Sequence, residues 1–139
     1  APLCGAYVNA CKRKYNARPL RTSFCHELGL RILIGQAVRY AAKYDIKLEI
    51  LFSHSSKHFF RAFFRLENGA KLANEAFKKL GYLYYCPDCL RREFDKSFFS
   101  DEKTCSECSI GISVCFLLFK SFDSWYQNIA VFNLSCALE

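Results

Sequence analysis

The sequence predicts an α/β fold followed by a four-cysteine metal-binding segment. The first observation is the order helix–strand–strand–helix–strand, which follows from hydrophobic periodicity over residues 26–85. The second is a pair of Cys-x-x-Cys turns within residues 86–108. The chain has 139 residues, and 52% of them are hydrophobic, so it has enough apolar side chains to build a core.

A long helix is predicted over residues 26–44, with Thr22 or Ser23 as its cap. One narrow stripe of residues spaced by four is predicted to face water: Arg31, Gly35, Arg39 and Lys43. The remaining circumference is apolar, as expected for a helix that lies on a sheet. Before it, residues 1–20 are predicted to be irregular, because Pro2, Gly5 and Pro19 interrupt regular structure.

Side-chain patterns with a period of two residues predict strands over 46–52 and 58–66. In the second strand, period two separates a partly wet face from a purely apolar face. The wet face carries Phe59, Arg61, Phe63 and Arg65, and the apolar face carries Phe60, Ala62, Phe64 and Leu66. A turn at Asn68-Gly69 leads into a short amphipathic helix that ends at Gly81, and a strand over 82–85 runs into the first cysteine pair.

The two cysteine pairs predict a closed metal site. Cys86 and Cys89 are separated by fifteen residues from Cys105 and Cys108, a length that suits a hairpin returning the second pair to the first. Four thiolates on two such turns form the tetrahedral zinc-ribbon arrangement, which folds the segment and leaves no position open for chemistry. Iron in place of zinc, a redox Cys-x-x-Cys and chance are the alternatives.

The other five of the nine cysteines are expected to pack as small apolar residues: Cys4, Cys11, Cys25, Cys115 and Cys136. No secretory signal pattern is present, so the cysteines are expected to stay reduced, as in the cytoplasm. His54 and His58 are predicted to be surface or packing residues. His26 is predicted to serve the first turn of the long helix without a catalytic role.

Positive charge is concentrated near the N-terminus. The formal net charge is +7, and residues 1–40 hold seven basic side chains against Glu27 alone. A one-sided basic segment is typical of nucleic-acid binding, although a solvated cationic surface is the alternative. The candidate RNA-binding residues are Lys12, Arg13, Lys14, Arg18 and Arg21, with Arg61 as a weaker candidate beside aromatic neighbours.

Several functional signatures are missing from the sequence. None of the six glycines belongs to a G-x-G-x-x-G loop or a P-loop, and no nucleophile–base–acid set is visible, so no catalytic or cofactor-binding residue is assigned. The longest apolar run, residues 112–119, is far too short to span a membrane. The chain also lacks methionine, which fits either a fragment or removal of the initiator.

A long collinear set of motifs resembles one enzyme family. The runs are L-C-G, then C-x-R-K-Y-N-A-x-P-L-R-T, then H-E-x-G-L-R-I-L-I-G, and the likeness continues to about residue 108. They resemble the tRNA guanine-N2 dimethyltransferases that modify position 26, most closely the archaeal type. After Cys108 the sequence departs from the family pattern. Ser109 stands where the family usually has glycine. A frameshift, an erroneous gene end or divergence would explain the tail.

The resemblance implies part of a Rossmann-like methyltransferase domain. It places residues 1–81 at the C-terminal portion of that domain, 82–110 in the zinc ribbon and 111–139 in a divergent tail. The S-adenosylmethionine loop and the catalytic motif would lie in a missing N-terminal half, leaving apolar side chains such as Ile32, Leu33, Phe60 and Phe64 uncovered. The implied partner is tRNA, with no DNA and no membrane expected. The alternative is a non-catalytic zinc-ribbon RNA-binding module.

Overall fold

The computed structural model describes residues 2–56, 59–96 and 104–109 and the backbone of 113–119. A 3₁₀ turn at Pro2–Cys4 begins the chain. The helices are α1 (Val8–Tyr15), α2 (Cys25–Ala42) and α3 (Ala70–Phe77). The strands are β1 (Ile46–Ser55), β2 (Phe60–Asn68), β3 (Leu80–Tyr85), β4 (Arg92–Asp95) and β5 (Ser113–Phe119). None of the helices in these described ranges could span a membrane.

The long helix α2 is the centre of the core, as its apolar sequence predicts. It buries residues on two sides, since Leu28 and Ile32 pack with the N-terminal segment while Leu30 and Ile34 pack with β1, α3 and β3. Gly35 is also buried, so the predicted solvent-facing stripe is wrong at this position. The exposed surface of α2 is narrower than a four-residue repeat predicts. The N-terminal segment covers one side of the helix, and β1, α3 and β3 cover the other.

The predicted helix cap is also wrong. Phe24 occupies the N-cap position of α2, and no side chain caps the helix there. Instead, the backbone carbonyl of Thr22 accepts a hydrogen bond from the Cys25 amide at 3.1 Å, which satisfies one of the free amides of the first turn. Glu27 and Arg31 form an ion pair along the next turn at 2.6 Å.

The N-terminal twenty residues contain a helix where the sequence predicted irregular structure. The breakers delimit α1 rather than interrupt it, because Pro2 and Gly5 precede it and Pro19 follows it. Helix α1 forms because Cys11, which is fully buried, and Tyr15 lie four residues apart and both contact the same core cluster. Three of the predicted RNA-binding residues therefore lie on a helix and not in a loop.

Strands β1 and β2 form an antiparallel hairpin with a register shift between Ile50 and Phe52. The faces predicted for β2 are confirmed at seven positions, since the wet-face residues are exposed and Phe60, Ala62 and Phe64 are partly buried. Leu66 was predicted to be covered, yet 64% of it is exposed. Helices α2 and α3 lie mainly across β1, so the end of the outer strand β2 stays uncovered.

A second antiparallel sheet has the order β4-β3-β5. Gly81 allows β3 to approach β4 closely, because a Cβ on this residue would lie 2.5 Å from the Phe94 ring and 2.7 Å from the Asp95 carbonyl. The predicted α/β class is confirmed, and every strand pairing in the described ranges is antiparallel. The parallel strands of a Rossmann-like domain are not seen in this part of the chain.

The apolar side chains expected to be uncovered are better covered than predicted. Ile32 has no exposed surface, and Leu33, Phe60 and Phe64 are partly buried. The N-terminal segment and α3 shield them, which the periodicity of single elements does not reveal. The large apolar side chains that remain exposed include Leu51, Phe52, Phe63 and Leu66.

Candidate metal centre and basic surface

Each Cys-x-x-Cys pair lies on a tight turn that a backbone hydrogen bond closes. The amide of Cys86 donates to the Arg91 carbonyl at 3.0 Å, and the amide of Ser109 donates to the Cys105 carbonyl at 3.0 Å. The residue directly after each pair has a left-handed backbone, with φ of 60° at Leu90 and 57° at Ser109. The two turns therefore share a left-handed residue after the second cysteine, although their closing hydrogen bonds differ.

The four sulfur atoms converge within 4.8 Å of one another. The Sγ atoms of Cys86 and Cys108 are 3.4 Å apart, and those of Cys89 and Cys105 are 3.5 Å apart. The Sγ atoms of Cys89 and Cys108 are separated by 3.9 Å. A zinc–sulfur bond of about 2.3 Å in a tetrahedron gives sulfur–sulfur edges of about 3.8 Å. The arrangement therefore has the size of a four-thiolate zinc site.

The pKa values of Cys105 and Cys89 are shifted in opposite directions. Backbone amides of Cys108 and Glu107 donate to the Cys105 sulfur and lower the pKa of this thiol to about 7. The Arg91 amide lowers the pKa of Cys89, but partial desolvation and hydrogen bonds with the three neighbouring sulfurs outweigh it and raise this pKa to about 12. Four thiolates at this spacing need a cation between them.

Polar contacts beside the sulfur cluster also connect the two turns. Arg91, next to the first turn, pairs with Glu107 in the second and with Glu93 at 3.0 Å. Ser106 Oγ also donates to Glu93 at 3.2 Å. The sequence pattern predicted no role for these residues. Their position between or beside the paired cysteines was the available signal, because residues next to metal ligands often orient those ligands.

Aromatic packing fixes the first turn to the core. Cys86 is buried at the end of β3, and the preceding Tyr85 contacts Phe24 edge-on, with ring centroids 5.3 Å apart. Arg92 also contacts the Phe24 ring, with its guanidinium carbon 4.1 Å from the ring centre. The four-cysteine cluster is therefore attached to the beginning of α2. Residues 97–103 of the predicted hairpin lie outside the described residues.

The predicted RNA-binding residues occupy three segments. Lys12, Arg13 and Lys14 form the last turn of α1, where the helix dipole favours positive charge. Arg18 and Arg21 are exposed in the segment before α2. Within the described ranges, no acidic side chain pairs with any of these five residues. Arg61 is exposed on β2, with its guanidinium carbon 5.1 Å from the centre of the Phe59 ring.

A second cluster of possible metal ligands was missed by the sequence analysis. The ligand atoms of Cys4, Cys25 and His26 all lie within 4.8 Å of one another, and each residue is partly buried. Burial, with the neighbouring Cys25, raises the pKa of Cys4 to about 11. The adjacency of Cys25 and His26 was the one available signal. His54 packs edge-on against Phe59 as predicted, whereas His58 lies outside the described residues.

Comparison with known proteins identifies one family. The model of the N2,N2-dimethylguanosine tRNA methyltransferase family matches residues 1–119. The tRNA (guanine(26)-N(2))-dimethyltransferase of Pyrococcus furiosus is 52% identical over 100 residues, which are 72% of this chain and 26% of that protein. The tRNA (guanine(26)-N(2)/guanine(27)-N(2))-dimethyltransferase of Aquifex aeolicus is 40% identical over 108 residues, covering 78% of this chain and 28% of that protein.

A solved structure agrees with these sequence matches. The complex of Trm1 from Pyrococcus horikoshii with S-adenosyl-L-methionine is similar to this chain with a TM-score of 0.68 and 46% identity. The similarity covers 72% of this chain and 27% of that structure. The chain therefore spans about a quarter of the length of the relatives it matches.

Proposed function

The chain belongs to the N2,N2-dimethylguanosine tRNA methyltransferase family, and from this membership we propose that it is part of an enzyme that methylates guanine N2 in tRNA. The match over residues 1–119 carries this proposal. Relatives from Pyrococcus furiosus and Methanothermobacter thermautotrophicus confirm the resemblance to the archaeal type. The methyl donor is S-adenosylmethionine, which the similar Pyrococcus horikoshii protein binds in its solved structure.

In this proposal the chain supplies the C-terminal portion of the methyltransferase domain, residues 1–81, followed by a zinc ribbon at 82–110. The segment 111–139 is the divergent tail in this proposal, and its strand β5 pairs with β3. The part of the enzyme that lies outside this chain supplies the cofactor loop and the catalytic motif. The coverage of about a quarter of each relative supports this division.

Zinc at Cys86, Cys89, Cys105 and Cys108 has a structural role in this proposal. All four ligands come from the protein, so the bound ion stabilises the two turns and offers no position to a substrate. The spacing of the sulfurs and the polar contacts of Arg91 support this assignment. Reduced thiols are required, which supports a cytoplasmic location.

The basic side chains face tRNA in this proposal. Lys12, Arg13, Lys14, Arg18 and Arg21 are exposed and carry no acidic partner in the described ranges, so phosphates can neutralise them. Arg61 adds a cation beside an exposed aromatic ring, a combination that suits contact with a nucleic acid.

A reconstitution experiment tests the proposed activity. The chain is joined to the N-terminal part of a family member, and transfer of labelled methyl groups from S-adenosylmethionine to unmodified tRNA is measured. The expected product is N2-methylated guanine. RNA binding by a well-folded reconstituted protein without any transfer would instead favour the non-catalytic RNA-binding module.

A further inference from the structure

We propose that Cys4, Cys25 and His26 form a second metal site, for a thiophilic divalent cation such as zinc, with three protein ligands and an open fourth position. This proposal is independent of the methyltransferase activity. The three residues lie where the N-terminal 3₁₀ turn meets α2. In the sequence they are far from the two Cys-x-x-Cys turns.

The donor atoms have the spacing of a mononuclear site. Cys25 Sγ lies 3.7 Å from His26 Nδ1, and the Cys4 sulfur lies within 4.8 Å of both. In a tetrahedral zinc site with bonds of about 2.3 Å to sulfur and 2.0–2.1 Å to nitrogen, the sulfur–nitrogen edge is about 3.6 Å. Small side-chain adjustments therefore suffice to bring the three donors onto one ion.

Close packing on both sides of Cys4 holds its backbone beside α2. Gly5, with φ of +92°, approaches Arg21 so closely that a Cβ would lie 2.9 Å from the Arg21 amide nitrogen. Gly29, one turn into α2, approaches Leu3, and a Cβ there would lie 3.1 Å from both the Leu3 carbonyl oxygen and its Cβ. Two glycines thus fix the turn that carries Cys4 at the beginning of the helix that carries Cys25 and His26.

The degree of burial suits an ion with an exchangeable ligand. All three residues are partly buried, and none of them is fully enclosed by the core. Two thiolates and an imidazole form a donor set that zinc uses in sites with an open position. The His26 ring also packs edge-on against Phe60, with centroids 6.4 Å apart, which orients the imidazole.

Cobalt(II) titration of the reduced chain tests the proposal. Tetrahedral cobalt bound by thiolates gives visible absorption and sulfur-to-metal charge-transfer bands. We expect two equivalents in the unchanged chain and one equivalent in Cys4→Ser and in Cys25→Ser. Cys11→Ser is the matched control, since Cys11 is a buried thiol near the same core outside the cluster, and it should keep two equivalents. Far-ultraviolet circular dichroism checks that each variant is folded.

A gain-of-signal variant covers the case in which the serine variants do not fold. His26→Cys replaces the imidazole by a third thiolate, so the charge-transfer intensity of the second equivalent should rise by about half. Binding of a single equivalent by the unchanged chain would overturn the proposal. An unaltered spectrum in His26→Cys would do the same, and so would two equivalents retained by folded Cys4→Ser.

Discussion

Leu90 and Ser109 occupy the same place in two different turns. Each directly follows the second cysteine of its pair, and each has a left-handed backbone, with φ of 60° and 57°. This conformation costs a residue with a Cβ atom roughly 1–2 kcal/mol of conformational free energy, and glycine avoids that cost. Both residues are exposed, so their side chains contribute little to packing that could offset the strain.

Replacement by glycine should therefore stabilise the two Cys-x-x-Cys turns. We expect Leu90→Gly and Ser109→Gly each to raise the free energy of unfolding by about 1 kcal/mol, and to slow the loss of metal to a chelator. Asp88→Gly is the control, because Asp88 lies in the same turn without a positive φ. If Asp88→Gly stabilised the chain as much as the other two, backbone strain would not be the cause.

The sequence predicted the elements whose signal is local. Helix α2 was predicted because its apolar residues extend over 18 positions, and β2 because its aromatic and arginine residues alternate. The four-cysteine site was predicted because both donor type and spacing are visible in each pair. Helix α1 was missed because it has only 8 residues between breakers, and its stability comes from the contacts of Cys11 with distant residues.

The Cys4 cluster could not be predicted for a related reason. Twenty positions separate Cys4 from Cys25 in the sequence. The contact between them depends on the close approach of Gly5 to Arg21 and of Gly29 to Leu3, which are tertiary contacts. The exposure of Leu66 follows in the same way from how α2 and α3 lie across β1.

The four-cysteine site should hold one equivalent of zinc. Cys89→Ser removes one of four thiolates, so we expect that equivalent to be lost, and residues 82–108 to become more accessible to protease. Elemental analysis measures the metal, and limited proteolysis measures the change in the segment. Cys11→Ser serves as the control and should keep the metal. Full retention of zinc by Cys86→Ser/Cys105→Ser would refute the assignment.

The α1 cations should contribute to the salt dependence of tRNA binding. Lys12→Ala/Lys14→Ala removes two unpaired charges, so the slope of log affinity against log salt should decrease by roughly 1 to 2. Lys78→Ala/Lys79→Ala is a matched control, since this pair is also exposed and also lies at the end of an eight-residue helix. Equal slopes for the two double variants would mean that the α1 cations are only a solvated surface.

Arg61 should contribute more to tRNA binding than Arg65, although both lie on the same face of β2. Arg65 has an acidic partner, Glu49, at 3.4 Å, whereas Arg61 has no ion pair in the described ranges. We expect Arg61→Ala to weaken binding several-fold, and Arg65→Ala to have a smaller effect. Fluorescence anisotropy with labelled tRNA measures both. A larger loss in Arg65→Ala would remove Arg61 from the proposed RNA-binding surface.

The chain by itself should neither bind S-adenosylmethionine nor methylate tRNA. A doubly wound methyltransferase domain binds its cofactor at the carboxyl ends of parallel strands, with a glycine-rich turn close to the ligand. None of the six glycines belongs to a G-x-G-x-x-G motif in the sequence, and the described strands pair antiparallel. The target base also needs a pocket, which in our proposal is built largely by the remainder of the enzyme.

Isothermal calorimetry with S-adenosylmethionine and a methyl-transfer assay test this expectation on the same preparation. Exposed Leu51, Phe52, Phe63 and Leu66 should also make the isolated chain poorly soluble, so a carrier protein without cysteine is fused to it. We expect no heat of binding and no transfer from the fused chain, and both signals once the N-terminal half of a family member is supplied. Measurable turnover by the 139-residue chain alone would contradict the division of roles, because the cofactor site would then lie within these residues.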